Sequence, residues 1–336
     1  MSEAAWSLEQ VTLTGRDRPR LDDVSLEIPD GVTAVMGSSG AGKSSLLGLL
    51  TDFEKPDAGS VRFLVSESTS RLPLFWSPQD HGLWPHLSVR EHLEYVRPST
   101  PQIDRPVETW LELFGMESLR NSLPGSLSQG ERSRLGVLRA LASEAAVLVL
   151  DEPLVHVDPL LAHQCWQVVD EHFQRHCSAA VFSTHDPDTV LKFAQNVACL
   201  QQGKVGFFGS VDALRFEPPT RELAWLLGPC NWFSRAAAKE RCPDGALTGF
   251  EEVVAGNRSG IDQHERPAVC VRPAQLQLEP EKDSHFVVES IVRAATVIEV
   301  RLHDRRSDSR CDVFVAQLSS DVGLGEAVRV IVHPPR

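Results

Sequence analysis

The chain has 336 residues, 42 % of them hydrophobic and 24 % charged, which suits two globular domains with a sizeable core. Its formal net charge of -13 disfavours non-specific nucleic-acid binding through a basic surface. No apolar run is long enough to span a bilayer, and the acidic N-terminus lacks an apolar signal core.

The seven cysteines are odd in number and contain no C-x-x-C pair, so reduced thiols are expected rather than a zinc site or disulfide framework. Residues 6–13 alternate apolar and polar side chains and read as a strand. Residues 24–28 read as a second one, and Pro29-Asp30-Gly31 turns into a short apolar run, 31–36, with the character of a buried strand. A charged turn with Arg16, Asp17, Arg18 and Arg20 separates the first two strands.

Next comes Gly37-Ser38-Ser39-Gly40-Ala41-Gly42-Lys43-Ser44-Ser45, which fits the phosphate-loop pattern G-x-x-x-x-G-K-[ST] at every fixed position. The glycines let backbone N–H groups turn inward around anionic oxygens. A helix beginning near Lys43 aims the positive end of its dipole at the same place. Lys43 is expected to bridge β- and γ-phosphates, and the Ser44 hydroxyl to ligate Mg²⁺. A chance Gly/Ser match is the alternative, but strand, glycines, Lys and helix must then all coincide.

A turn at 56–60 leads to a strand at 61–64. Helices are expected at 88–95, 107–115 and 129–143. The apolar run 146–150 ends in Asp151-Glu152-Pro153. In a parallel α/β sheet, ligands bind at the carboxyl ends of strands. Asp151 is therefore expected to face Mg²⁺, and Glu152 to act as general base on an attacking water. The alternative is a buried strand with merely solvated terminal acids. A further apolar strand, 179–183, leads to Thr184-His185-Asp186, and 202–210 reads as a hairpin. Beyond residue 228 the pattern becomes β-branched alternation, with strands expected at 268–272, 286–302, 311–318 and 327–332. Polar loops are expected near 256–260 and 304–309.

Phosphate loop, Pro78-Gln79-Asp80, Leu127-Ser128-x-Gly130-x, Leu150-Asp151-Glu152-Pro153 and Ser183-Thr184-His185-Asp186 stand in an order that resembles the ATP-binding cassette (ABC) ATPases. The resemblance covers about residues 6–228. It implies an α/β P-loop NTPase cassette, with a mixed sheet and a helical subdomain at about 80–143. It assigns Gln79 to sensing Mg²⁺ and the γ-phosphate, His185 to contacting that phosphate, and Ser44, Gln79 and Asp151 to Mg²⁺. Ser128, Gln129, Gly130 and Glu131 take the place of the signature. In the family that segment binds in trans, on ATP held by another copy's Lys43 in a head-to-tail homodimer. Asp158 matches the loop that crosses between the copies, although His156 and Val157 are larger than the usual residues there.

Two departures stand out. The usual signature is Leu-Ser-Gly-Gly-Gln, and here Glu131 sets an acid near an anion, which should weaken the contact slightly. The aromatic that stacks on adenine is missing around Thr14–Arg16. A guanidinium, from Arg16 or Arg18, can cover the ring instead, so poor base selectivity and GTP use are expected.

The segment 76–93, with Leu83 and Trp84, resembles the importer ATPases. There it lines the groove for a membrane subunit; core packing is the other reading for Trp84. Two transmembrane permease subunits, an indirectly linked substrate-binding protein and a peripheral position on the cytoplasmic face of the inner membrane follow from that likeness. Residues 229–336, with Asn231, Val271-Arg272-Pro273 and Gly323–Val328, resemble the small all-β, oligomer-binding-fold (TOBE) domain of importers of sulfate, molybdate, iron, polyamines and sugars. An inorganic ion is the expected cargo. A regulatory, anion-sensing protein with slow ATPase is the rival, and Arg272 is expected to be structural rather than an anion ligand.

Overall fold

The computed structural model describes residues 4–65, 72–98, 105–234 and 268–333. The chain forms two compact units, Met1–Val211 and Asp212–Arg336.

In the first unit, β1 (Ala4–Leu13), β2 (Leu21–Pro29) and β4 (Ala58–Phe63) form an antiparallel sheet in the order β2-β1-β4. A second sheet holds β3 (Gly31–Gly37), β5 (Leu74–Ser77), β6 (Val147–Leu150), β7 (Ala179–Ser183), β8 (Asn196–Gln201) and β9 (Lys204–Ser210). Its order is β5-β6-β7-β3-β8-β9, parallel throughout except for β9. Strands β6 and β7 are apolar along nearly their whole length because they are buried on both faces. One edge of the sheet thus collects the carboxyl ends of β3, β5, β6 and β7. Helix α1 (Lys43–Leu50) follows β3 at that edge, and Trp6 Nε1 donates to Leu50 O at 3.0 Å, tying β1 of the antiparallel sheet to the end of α1.

Helices α2 (Val89–Val96), α3 (Val107–Leu113) and α4 (Gln129–Ala142) match the expected helical segments to within about two residues. Both α2 and α4 start on capping boxes, Ser88 with Glu91 and Ser128 with Glu131. Buried Arg139 of α4 donates to His81 O and Gly82 O, both at 2.6 Å, and lies 4.8 Å from the Trp84 ring. Burial lowers its pKa to about 10, so it stays charged at neutral pH. Trp84 also stacks on His92, with ring centroids 5.4 Å apart. Helices α5 (Pro159–His176) and α6 (Pro187–Phe193) each begin with Pro after a capping Asp, Asp158 and Asp186.

The second unit has α7 (Val211–Phe216) at its start, then α8 (Arg221–Leu226), β10 (Asn231–Ser234), β11 (Ala268–Val271), β12 (Leu276–Pro280), β13 (Phe286–Arg293), β14 (Ile298–Asp304), β15 (Ser309–Val315) and β16 (Val328–Val332). All pairings are antiparallel: β10 with β11, β12 with β16, and β13-β14-β15. The expected strand 286–302 is a hairpin, broken at Ala294–Val297, where no Gly or Pro signals the turn. The expected loop 304–309 is the tight connection between β14 and β15, and that at 256–260 lies outside the described residues. Buried Asn231 donates to Val271 O and Phe314 O and accepts from Phe314 N, pinning β10 to β11 and β15. The Arg272 guanidinium donates through Nε to Arg215 O and through Nη1 to Ala224 O and Gly228 O, at 3.0–3.1 Å. Among the described residues, no helix is long and apolar enough to cross a membrane.

Candidate nucleotide-binding site

The site is built where β3 ends. Gly42 has φ 109°, and a Cβ there would stand 2.5 Å from Arg20 O, so both conformation and space demand glycine. Lys43 opens α1, and its side chain folds back into the loop. Lys43 Nζ donates to Gly37 O at 3.0 Å and Ser38 O at 3.4 Å. It also lies 3.7 Å from Glu152 Oε1. The lysine is only 8 % exposed, which places its charge at the floor of the loop. Ser44 is exposed beside it. A cleft of about 560 Å³ opens over Ser39, Gly40, Gly42–Ser45, Gln79 and Glu152, and continues along the turn at Gly15–Arg20.

The ends of β6 and β7 are cross-linked. Ser183 Oγ donates to buried Asp151 Oδ1 at 2.5 Å and accepts from Glu152 N at 2.8 Å. Gln79, just past β5, donates through Nε2 to Glu152 Oε2 at 3.3 Å. Gln79, Glu152 and Lys43 are therefore brought together from three strand ends. The Gln79 amide oxygen, the Asp151 carboxylate and the Ser44 hydroxyl are all hard oxygen donors, and this donor set suits Mg²⁺. His185, at the exposed end of β7, shares a second cleft with Glu152 and does not line the first.

The loop after Glu152 is backbone-strained. Glu152, Leu154 and His156 have φ of 47°, 60° and 64°, and none is glycine. Each such residue costs roughly 1 kcal/mol or more. Asp158 ends the loop by accepting from Leu160 N at 3.0 Å and Leu161 N at 3.3 Å. His156 belongs to a residue type enriched at positive φ, but Glu152 and Leu154 do not, so the composition of 152–158 does not signal the conformation of those two.

Ser128, Gln129, Gly130 and Glu131 start α4, away from the lining of the Lys43 cleft. Glu131 closes the capping box that the Ser128-x-x-Glu131 spacing offers. Its carboxylate accepts from Ser128 N at 2.7 Å, and that bond holds its pKa below the usual carboxylate value. Ser128 Oγ in turn accepts from Glu131 N at 3.3 Å.

A family model described as ABC transporter matches residues 21–155. The sulfate/thiosulfate import ATP-binding protein CysA of Caulobacter vibrioides is 32% identical over 245 residues, 68% of this chain and 72% of the relative. The chain belongs to the ABC transporter family. It is an ATP-binding cassette ATPase of that family. The molybdenum import ATP-binding protein ModC of Paramagnetospirillum magneticum is 35% identical over 213 residues, 60% of this chain. There the match spans 59% of the relative, less than two thirds of its length. A solved ATP-binding subunit of an ABC transporter shares the fold, with a TM-score of 0.56 at 22% identity, covering 63% of this chain and 92% of that one. A dimeric ATP-binding cassette bound to ADP and phosphate aligns with a TM-score of 0.53 at 23% identity, covering 61% of this chain and 98% of that one.

Proposed function

We propose that this chain is the subunit that hydrolyses ATP to power import through a membrane transporter, with an inorganic ion as cargo. The observation that carries the catalytic part is the convergence of Lys43, Gln79 and Glu152 on one cleft. The cargo reading is supported by relatives named for molybdenum and for sulfate/thiosulfate import. A polyamine is the second reading, since the spermidine/putrescine import ATP-binding protein of Pseudomonas aeruginosa is 31% identical over 277 residues.

In this reading the triphosphate lies along Gly37–Ser45, and the loop's backbone N–H groups hold its oxygens. Lys43 exchanges two neutral carbonyls for the more strongly charged β- and γ-phosphates. Ser44, Gln79 and Asp151 would hold Mg²⁺, which when bound neutralises charge on the phosphate oxygens. Glu152 accepts a proton from the attacking water, which Gln79 and His185 orient. Ser128, Gln129, Gly130 and Glu131 of a second copy close over the γ-phosphate, with Asp158 at the seam. The Ser128 hydroxyl accepts from Glu131 N and is also hydrogen-bonded to the Glu131 carboxylate, so it must leave that carboxylate to donate to an anion. Glu131 repels that anion less than a loose carboxylate does, because the cap holds it at Ser128 N.

Residues 6–228 act as the cassette in this account, and 229–336 as the accessory TOBE domain. The homodimer closes and reopens at the cytoplasmic face of the inner membrane, driving two permease subunits fed by a substrate-binding protein. Nucleic acid is not a partner. The rival is a slow regulatory switch. ATPase of the purified chain, measured with and without its cognate permease pair in liposomes, separates the two. Several-fold stimulation supports the importer, and an unchanged rate favours the switch.

A further inference from the structure

Two thiols meet in the second unit. Cys230 stands one residue before β10, and Cys270 lies in β11. The antiparallel ladder pairs Asn231 with Val271 and Trp232 with Cys270. Side chains two residues apart on a strand share a face, so Cys230 and Cys270 are diagonal neighbours on one face of the pair. They are 1 % and 2 % exposed, in one apolar cluster with Ala224, and Trp232 packs against it. The two thiols share a hydrogen bond.

Beside them lies a buried cation. Arg272 is two residues on from Cys270 and only 7 % exposed. Its hydrogen bonds go to the neutral carbonyls of Arg215, Ala224 and Gly228, and its buried Nη2 has no acceptor among the described residues. A buried guanidinium held only by neutral groups favours an anion nearby. The hydrogen bond from Cys270 holds the Cys230 thiol below its ordinary value against the opposing effect of burial, and Arg272 and Arg221 assist. The same bond and burial push Cys270 up. One member of the pair thus forms a thiolate readily and the other keeps its proton, which is the division of labour between an attacking and a resolving thiol.

We propose that Cys230 and Cys270 are a modification site for hydrogen peroxide, closing to a reversible disulfide between the start of β10 and β11. The Cys230 thiolate attacks one peroxide oxygen, the O–O bond breaks, and the other oxygen takes up a proton and leaves as water. Cys230 is then a sulfenic acid. The Cys270 sulfur attacks the Cys230 sulfur, the S–O bond breaks, and the hydroxyl leaves as water with the Cys270 proton. Two electrons pass from the sulfurs to the peroxide. Cys230 lies one residue outside the paired register, so it can approach Cys270 without breaking a pair of β10. Burial admits a reagent little larger than water and excludes bulky disulfides.

The test is graded hydrogen peroxide on the full native chain, followed by alkylation, trypsin and mass spectrometry. Cys230, Cys242 and Cys270 fall on different tryptic peptides, 222–235, 242–258 and 259–282. Peroxide should join 222–235 to 259–282, and dithiothreitol should separate them. Cys270→Ser should stop at a sulfenic acid on Cys230, read with a dimedone label. In Cys230→Ser, Cys270 should oxidise at least about tenfold more slowly than Cys230 does in Cys270→Ser. A cross-link to 242–258 in place of the expected one overturns the proposal. So does a parent chain in which Cys230 and Cys270 stay reduced at peroxide levels that oxidise the less buried Cys311. Equal rates in the two single variants overturn it as well, because neither thiol is then the favoured nucleophile.

Discussion

A Cβ built on Gly130 would stand 2.6 Å from the carbonyl oxygen of His156. The first turn of α4 therefore rests, backbone on backbone, against a loop that holds Glu152, Leu154 and His156 at positive φ. The glycine is required here by space rather than by its own dihedral. A methyl group must push apart the signature segment and the strained loop that follows the proposed general base.

Gly130→Ala should cost about 1–3 kcal/mol by overpacking. It should also lower ATPase activity by more than the lost stability explains. Thermal unfolding and turnover measured on the same preparation check both. Gly125→Ala, where a Cβ meets nothing within 4 Å, is the control that should change neither.

Ser183 is the hinge of the acid pair, since one hydroxyl serves both Asp151 and the backbone of Glu152. Ser183→Ala leaves a buried carboxylate oxygen and a part-buried N–H unpaired, at about 1–3 kcal/mol each if water does not enter. The expected signature is a rise in the Mg²⁺ concentration needed for half-maximal ATPase. A titration of rate against Mg²⁺, with the variant beside the parent, reads it directly.

His92 is a buried, neutral linker. Its Nδ1 bonds Ser88 O at 2.8 Å, and its Nε2 accepts from Trp84 N at 2.9 Å. Protonation would turn that acceptor into a donor facing an N–H. Burial lowers the pKa from 6.5, and Arg139 and His86 push the same way, while the Ser88 bond and Glu91 oppose them. Above 6.5 neither folded nor unfolded His92 carries a proton, so the full stability is present. As pH falls below 6.5 the unfolded chain takes up its proton first, and stability falls until the folded pKa is passed. His92→Leu should be less stable at about pH 8 and should show a flatter dependence down to about pH 5. Unfolding midpoints across that range test this. Parallel curves for parent and variant would count against a neutral His92.

The phosphate loop was legible because its geometry depends on residues with few substitutes. Gly42 sits at φ 109° against Arg20 O, and no other residue type fits that place. Strand β6 with its two terminal acids was legible because burial on both faces leaves only apolar side chains. The helix starts at Ser128 and Asp158 follow from short polar side chains that cap backbone N–H groups. The positive φ of Glu152 and Leu154 left no such trace. Neither residue type favours that conformation, and tertiary contacts such as Gly130 against His156 hold the loop in place. Arg139 was equally silent, since an Arg inside a helical pattern reads as solvated until Gly82 and His81 offer their carbonyls. The hairpin between β13 and β14 escaped because Ala294–Val297 contains no turn residue.

The central claim is that Glu152, held by Gln79 and close to Lys43, is the base for hydrolysis between two copies. Its most direct test is Glu152→Gln, which keeps a hydrogen-bonding side chain of the same shape and removes the base. Single-turnover hydrolysis and sedimentation with ATP and Mg²⁺ should show cleavage reduced by at least about a hundredfold and a stable nucleotide-bound dimer. A variant that hydrolyses ATP at the parent's rate would contradict the account.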